Sequence, residues 1–183
     1  MPPRDELLSP PAPAPLDGAG RSVFIGGPFK GLIDGATGLL ERRARARYSA
    51  LIDAFEADGW EVLSAHRAEA WGAELISDGA CTRRDLAWMR ACSVFVAFPG
   101  RPASPGTHVE LGWASALGRA TLVLVEPGAQ TAALVNGLPE VAPVRLVEYR
   151  DEPECVREVV AMAAAALRAD RRGQRAQTVG VAR

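Results

Sequence analysis

Ser93-Val-Phe-Val-Ala-Phe-Pro-Gly-Arg-Pro-Ala-Ser-Pro-Gly-Thr-His-Val-Glu-Leu-Gly-Trp-Ala114 is the stretch on which the fold turns. It opens with a continuous apolar run, 93–98, the signature of a strand covered on both faces. A loop rich in Pro and Gly follows at 99–107, then a helical stretch, 107–117, that stops at Gly118. The next apolar run, 120–125, reads as another buried strand. The same alternation continues in both directions. Toward the N-terminus, Ser22-Val-Phe-Ile-Gly26 is an apolar run ending in glycine. Residues 39–58 place Tyr48, Leu51, Ile52 and Phe55 at helical spacing before Gly59, 60–64 reads as a strand and 82–91 as a helix. Toward the C-terminus, 144–149 is a fifth strand and 152–169 a closing helix. Strands alternating with helices imply right-handed crossovers and a parallel sheet with helices on both faces. Five strands fit the flavodoxin-like order 2-1-3-4-5 better than the six-stranded dinucleotide fold. The expectation is therefore a single α/β, Rossmann-like domain over 21–170. Ligands in such sheets sit beyond the carboxyl ends of the strands, at the switch between strands 1 and 3, which selects the loops 26–34 and 99–107.

Composition narrows the function classes. The chain has 183 residues, one domain's worth, and a net charge of −1. Binding to nucleic acid or an anionic membrane surface needs a basic excess that is missing here. No stretch approaches the ~20 apolar residues of a membrane span, and no secretory signal is visible. The three cysteines, Cys81, Cys92 and Cys155, lack CxxC spacing, and there are only two histidines, so neither a disulfide framework nor a zinc site is expected. The cysteines read as small apolar residues or unpaired thiols in a reducing cytoplasm. The Pro/Ala-rich residues 1–20 read as a flexible leader, and 171–183 as a frayed tail.

Two loops and their neighbours carry the candidate chemistry. Pro105 and Gly106 turn the chain into a new helix whose free N–H groups and positive dipole end form a phosphate cradle, with the Ser104 hydroxyl beside them. The alternative is an ordinary loop with Thr107 as N-cap. The loop matches neither the P-loop nor GxGxxG. Thr107-His-Val-Glu110 fits a capping box, so Glu110 is either a cap or a catalyst. It shares a helix face with Trp113, Ala114 and Leu117, expected to be the buried one. A place in the first turn would favour its ionised form, as a carboxylate nucleophile requires. Asp85, in Arg83-Arg-Asp-Leu-Ala-Trp88, is a solvated surface acid or the second carboxylate of a glycosidic pair. Gly26-Gly-Pro-Phe-Lys30 offers an aromatic ring and a cation. Phe24 and Phe29 are placed to sandwich a flat heterocycle and Lys30 to meet its edge, although Phe24 in an apolar strand also reads as core. His66 lies in a segment dense in polar and aromatic residues, 65–74, and is equally a ligand contact or a structural histidine.

These segments resemble the nucleoside 2-deoxyribosyltransferase superfamily. The likeness rests on Val23-Phe-Ile-Gly-Gly-Pro-Phe-Lys30, Ala65-His-Arg67, Trp71-Gly-Ala-Glu74, Val94-Phe-Val-Ala-Phe-Pro-Gly100 and Pro102-Ala-Ser-Pro-Gly-Thr-His-Val-Glu-Leu-Gly-Trp-Ala114, within 22–137. Within that superfamily the chain is most similar to the cytidylate N-glycosidase branch of the mildiomycin and blasticidin S pathways. The resemblance implies a flavodoxin-like fold, a homodimer or higher oligomer whose neighbouring subunit completes each site, and a retaining mechanism without metal or organic cofactor. Glu110 matches the nucleophile, and Asp85 an aspartate that contacts the sugar and assists base departure. Ser104 and Gly106 match phosphate-binding positions; Phe24 and Phe29 match base-stacking positions. Lys30 stands where the hydroxymethyl-preferring relative carries arginine, which favours CMP over 5-hydroxymethyl-CMP. The neighbour's contribution is expected from around 131–136. The expected activity is hydrolysis of CMP to cytosine and ribose 5-phosphate. The rivals are a deoxyribosyltransferase, a 5-hydroxymethyl-CMP or 2′-deoxynucleotide hydrolase, a cytokinin-type phosphoribohydrolase, and a non-catalytic nucleotide sensor.

Overall fold

A computed structural model describes residues 20–101 and 103–181, with side chains for all of these except 171 and 173–181. The stretch expected as a leader lies outside the described residues except for Gly20. The elements in chain order are β1 (Ser22–Gly26), α1 (Arg42–Ala57), β2 (Glu61–Ser64), α2 (Ala65–Ala68), α3 (Asp78–Ala91), β3 (Val94–Ala97), α4 (Pro105–Ala116), β4 (Ala120–Val125), α5 (Ala133–Gly137), β5 (Val144–Glu148) and α6 (Pro153–Val181). The five strands form one parallel sheet in the order β2-β1-β3-β4-β5, the order expected from the alternation of runs. β1 lies between β2 and β3, so the crossovers leave it in opposite directions and open a crevice beyond Gly26 and its register partner Ala97.

The two-residue period of each central strand divides the core into two layers. Val23, Ile25, Val94, Val96, Leu122 and Leu124 face one side, where Tyr48, Leu51 and Phe55 of α1 and Val159 and Ala163 of α6 cover them. Phe24, Phe95, Ala97 and Val123 face the other, under Trp88 and Met89 of α3 and Leu111 and Ala114 of α4. Burial of each large aliphatic or aromatic side chain contributes roughly 1.5–3 kcal/mol. α1 ends where Gly59 takes φ +75°, a left-handed conformation that favours glycine.

Several boundaries differ from expectation: α1 begins at Arg42 in place of Leu39, and the starts of α3 and α4 differ for a local reason. α3 begins at Asp78, four residues before Thr82, because the Ser77 hydroxyl accepts from Ala80 N at 3.4 Å and caps it. α4 begins at Pro105, with proline at its first position and Ser104 as its N-cap in place of Thr107. This shifts the buried stripe of α4 to Thr107, Leu111 and Ala114; Trp113 is half-buried and Leu117 is 45% exposed. The backbone of α6 runs helically through the expected tail to Val181.

Candidate active site

The cavity beyond β1 and β3 has a volume of about 280 Å³. Its wall includes Gly26, Phe29, Lys30, His66, Asp85, Ser104, Gly106, Thr107 and Glu110, which sequence reasoning had singled out across more than eighty positions. Phe24 is the exception. It is fully buried in the core, its ring 5.7 Å from that of Trp88 and 5.2 Å from that of Phe95. Its position two residues before Gly26 puts it on the same sheet face but one layer deeper, away from the cavity wall. Phe24→Ala is therefore expected to cost ~3–5 kcal/mol of stability, the loss typical of an emptied aromatic core site. Chemical denaturation of the variant measures this directly. A stable variant whose defect is confined to substrate affinity would restore Phe24 to the binding wall.

The floor is the 26–30 loop, held from beneath. The Tyr48 hydroxyl donates to the Pro28 carbonyl at 3.2 Å, and His66 Nε2 meets the same oxygen at 3.2 Å. That contact makes Nε2 the protonated nitrogen of a neutral imidazole. The His66 ring stacks on Tyr48 at 3.8 Å and lies 4.8 Å from Phe29. Burial pushes its titration down to about 4, so it remains neutral in ordinary conditions. Lys30 reaches across the mouth to Asp78 at the start of α3, with Nζ 2.7 Å from the carboxylate.

α4 supplies the other wall. Ser104 Oγ accepts from Thr107 N at 3.4 Å and lies 3.1 Å from Thr107 Oγ1. Gly106 follows Pro105 in the first turn, and a methyl group built on it would meet open space. With Ser104 as N-cap, Glu110 is beyond the first turn and cannot complete a capping box. Its carboxyl instead tucks over the end of β1. A Cβ on Gly26 would lie 2.6 Å from Glu110 Oε2 and 2.9 Å from the Phe95 ring, so only glycine leaves room there. Oε2 is buried and without a hydrogen-bond partner among the described residues. Burial, with the nearby Asp85 charge added and Arg84 opposing, pushes the Glu110 carboxyl up to about 8. The expected ionised acid in a helix's first turn is thus corrected: Glu110 lies beyond the first turn, and burial raises its carboxyl.

Asp85 is not a solvated surface acid. Its side chain is 13% exposed, and burial raises its titration against the hydrogen bond from Arg84 Nε at 2.8 Å. Sequence reasoning missed what stands behind it. Arg84 Nη2 lies 2.8 Å from Glu69 Oε1, and the two side chains are only 5% and 3% exposed. The Arg84 guanidinium also covers the Trp88 ring at 4.7 Å. Glu69 is followed by left-handed backbone at Ala70 (φ 46°) and Trp71 (φ 60°), then by Gly72 (φ +111°). The only available signal was the polar density of 65–74, and it did not reveal a partner on α3.

A second cavity of about 230 Å³ lies on the far side of Pro28 and Leu32, which line both. Its Glu126 is paired with Arg47, which also bonds Asp151, so it offers no counterpart to the unpartnered Glu110 carboxyl.

Three carboxyls line one cavity at the carboxyl ends of a parallel sheet, Glu69 held against Arg84 and Asp85 and Glu110 left as a pair, and a carboxyl pair is the equipment of an enzyme that works on a glycosidic bond. The chain belongs to the nucleoside 2-deoxyribosyltransferase family, whose sequence pattern matches residues 36–168. It is similar to BlsM, known from a solution structure: 42% identity, 81% of this chain and 90% of that one covered, TM-score 0.67. It is similar too to the Clostridium botulinum CMP N-glycosidase BcmB, with 29% identity over 77% of this chain and 99% of that one and a TM-score of 0.56. The 2-deoxyribosyltransferase of Bacillus psychrosaccharolyticus shares the fold at 17% identity, covering 74% of this chain and 90% of that one, with a TM-score of 0.52. No curated protein matches the chain. Among the described residues, no helix is long and apolar enough to cross a membrane.

Proposed function

We propose that this protein hydrolyses the N-glycosidic bond of cytidine 5′-monophosphate, releasing cytosine and ribose 5-phosphate. One observation carries the reading: the Glu110 carboxyl, released from any capping role, stands unpartnered over the end of β1 in a cavity it shares with Asp85. Glu110 attacks C1′ as the C1′–N1 bond breaks, through an oxocarbenium-like transition state, and forms a glycosyl ester. Asp85 holds the sugar, takes up the proton that the two carboxyls share as Glu110 ionises, and passes it to the departing cytosine. Water then opens the ester with retention. The 5′-phosphate docks at the start of α4, on Ser104, Gly106 and Thr107, where the dipole favours an anion. Phe29 covers the base and Lys30 meets its edge, at the expense of the Lys30–Asp78 ion pair. The similarity to a CMP N-glycosidase supports the substrate. The branch that the sequence resembles makes 5-hydroxymethyl-CMP the second substrate to assay, with Lys30 as the position to watch.

In this reading the enzyme works in the cytoplasm as a homodimer or higher oligomer, in nucleoside antibiotic biosynthesis. The free thiols of Cys81, Cys92 and Cys155 suit a reducing compartment. Leu134, 86% exposed in α5, and Val141, 79% exposed beyond it, are apolar side chains for a neighbouring copy to cover.

Chromatography of CMP incubations tests the reading. Free cytosine is expected from CMP, with less from dCMP and least from cytidine, which has no phosphate for the α4 start. Deoxyribose transfer to an added acceptor base without hydrolysis would assign the chain to the transferases. Tight CMP binding with no cytosine released over hours would make it a sensor.

A further inference from the structure

Glu110 has an unusual electrostatic setting. Asp85 and Arg84 face it from α3, and Glu69 stands behind Arg84 at the end of α2. The remaining titratable neighbours contribute little charge. His66 of α2 is neutral, Tyr48 of α1 is a buried phenol whose proton is held more tightly than usual, and Lys30 is engaged with Asp78 at the mouth. His108, on the same helix as Glu110, is turned back to the Ser104 carbonyl at 2.7 Å. Three carboxyls therefore share one cavity wall with a single guanidinium, and two of them meet it directly: Glu69 Oε1 lies 2.8 Å from Nη2 as an ion pair outside hydrogen-bond alignment, and Asp85 Oδ1 accepts from Nε. A single cation cannot neutralise three acids, so the cluster retains a proton.

We infer that the buried Glu69–Arg84 pair is a positioning unit for the two-carboxyl site: it aims the Asp85 carboxyl and sets a guanidinium on the wall that Asp85 and Glu110 share. Arg84 and Glu69 line the cavity too, but their side chains are only 5% and 3% exposed; in this assignment Arg84 acts through its neighbours and not on the sugar or the base. The Glu69 carboxylate draws Nη2 to its own side by charge, which leaves Nε to meet Asp85. The Trp88 ring beneath closes off the remaining direction. The inference rests on the proposed nucleotide hydrolysis for its kinetic consequence but not for its electrostatic one.

Arg84→Met and Arg84→Lys separate the two contributions. In Arg84→Met the acid limb of the kcat/KM profile for CMP is expected to move up by about one pH unit or more. At pH 7 this is a loss of about tenfold or more, mainly in kcat. In Arg84→Lys the limb returns toward the wild-type position because the charge is restored. The rate does not recover, because an ammonium cannot hold Glu69 and Asp85 in one plane. Carbon-13 NMR titration of the Glu110 carboxyl reads the same shift without any substrate. If Arg84→Met fails to fold around an unpaired Glu69, the double variant Glu69→Gln/Arg84→Met removes both charges at nearly constant volume, and the upward shift is expected in the same direction but smaller, because an opposing negative charge leaves with the cation. An unchanged Glu110 midpoint in these variants overturns the inference. Wild-type protein that releases no cytosine overturns the proposed function instead, and leaves the NMR midpoints to decide this point alone.

Discussion

Replacing Glu110 with glutamine is expected to lower kcat for CMP by at least about 10³-fold, the scale on which a covalent nucleophile is lost. The same change is expected to make the protein more stable in mild alkali. The free carboxyl is held at about 8 by burial, well above the ~4.3 of an exposed glutamate. The native state therefore binds this proton more tightly than the unfolded chain does, and stability declines as pH rises from about 4.3 to about 8. Glutamine has the same shape and no charge to desolvate. Thermal melts should show the variant above the wild type at pH 8, with the gap narrowing by pH 5, while cytosine release has vanished at both. Near-normal turnover with ~1 kcal/mol lost, the outcome for a removed helix cap, would refute the assignment of Glu110 as nucleophile.

Gly26→Ala is the second large effect. The added methyl would lie 2.6 Å from Glu110 Oε2 and 2.9 Å from Phe95. The Phe95 ring is fully buried in the core and has little freedom, whereas the carboxyl is the far end of a flexible side chain. The acid is the group that yields, by about an ångström, and displacement on that scale costs about 10²-fold in rate. CMP affinity should change much less, since the phosphate and base contacts lie elsewhere. Steady-state kinetics resolve the two. A variant with wild-type kcat would mean that the carboxyl position seen here is not the reactive one.

The fold was legible because its evidence is repetitive. Five apolar runs spaced by helical stretches leave few topologies open, and the parallel sheet with its 2-1-3-4-5 order followed from the count and the connections. The site was legible where the chain itself brings residues together: Ser104, Gly106, Thr107 and Glu110 lie within seven positions on one turn and one helix. It was less so where a single residue's start point decides the outcome. Thr107-x-x-Glu110 satisfies a capping box on paper, and only the helix beginning at Pro105 turns Glu110 from a cap into an inward-facing acid. Phe24 shows the converse limit, since an aromatic ring inside a short strand fits a core or a binding wall equally well, and depth below the surface is not written in a pattern of alternation. Glu69 and Arg84 are fifteen positions apart, and their meeting depends on the reversal at 70–72.

That reversal has an evolutionary consequence. Left-handed backbone at two successive residues with side chains carries a penalty of order 1–3 kcal/mol each, and here it falls directly after Glu69. A lineage selected for heat resistance alone would drift toward glycine or asparagine at 70 and 71, where Ala and Trp now sit. Keeping the tryptophan, whose ring lies 5.2 Å from the Arg45 guanidinium, ties the bend to α1. Thermal hardiness and a well-aimed acid are thus set against each other in the same three residues.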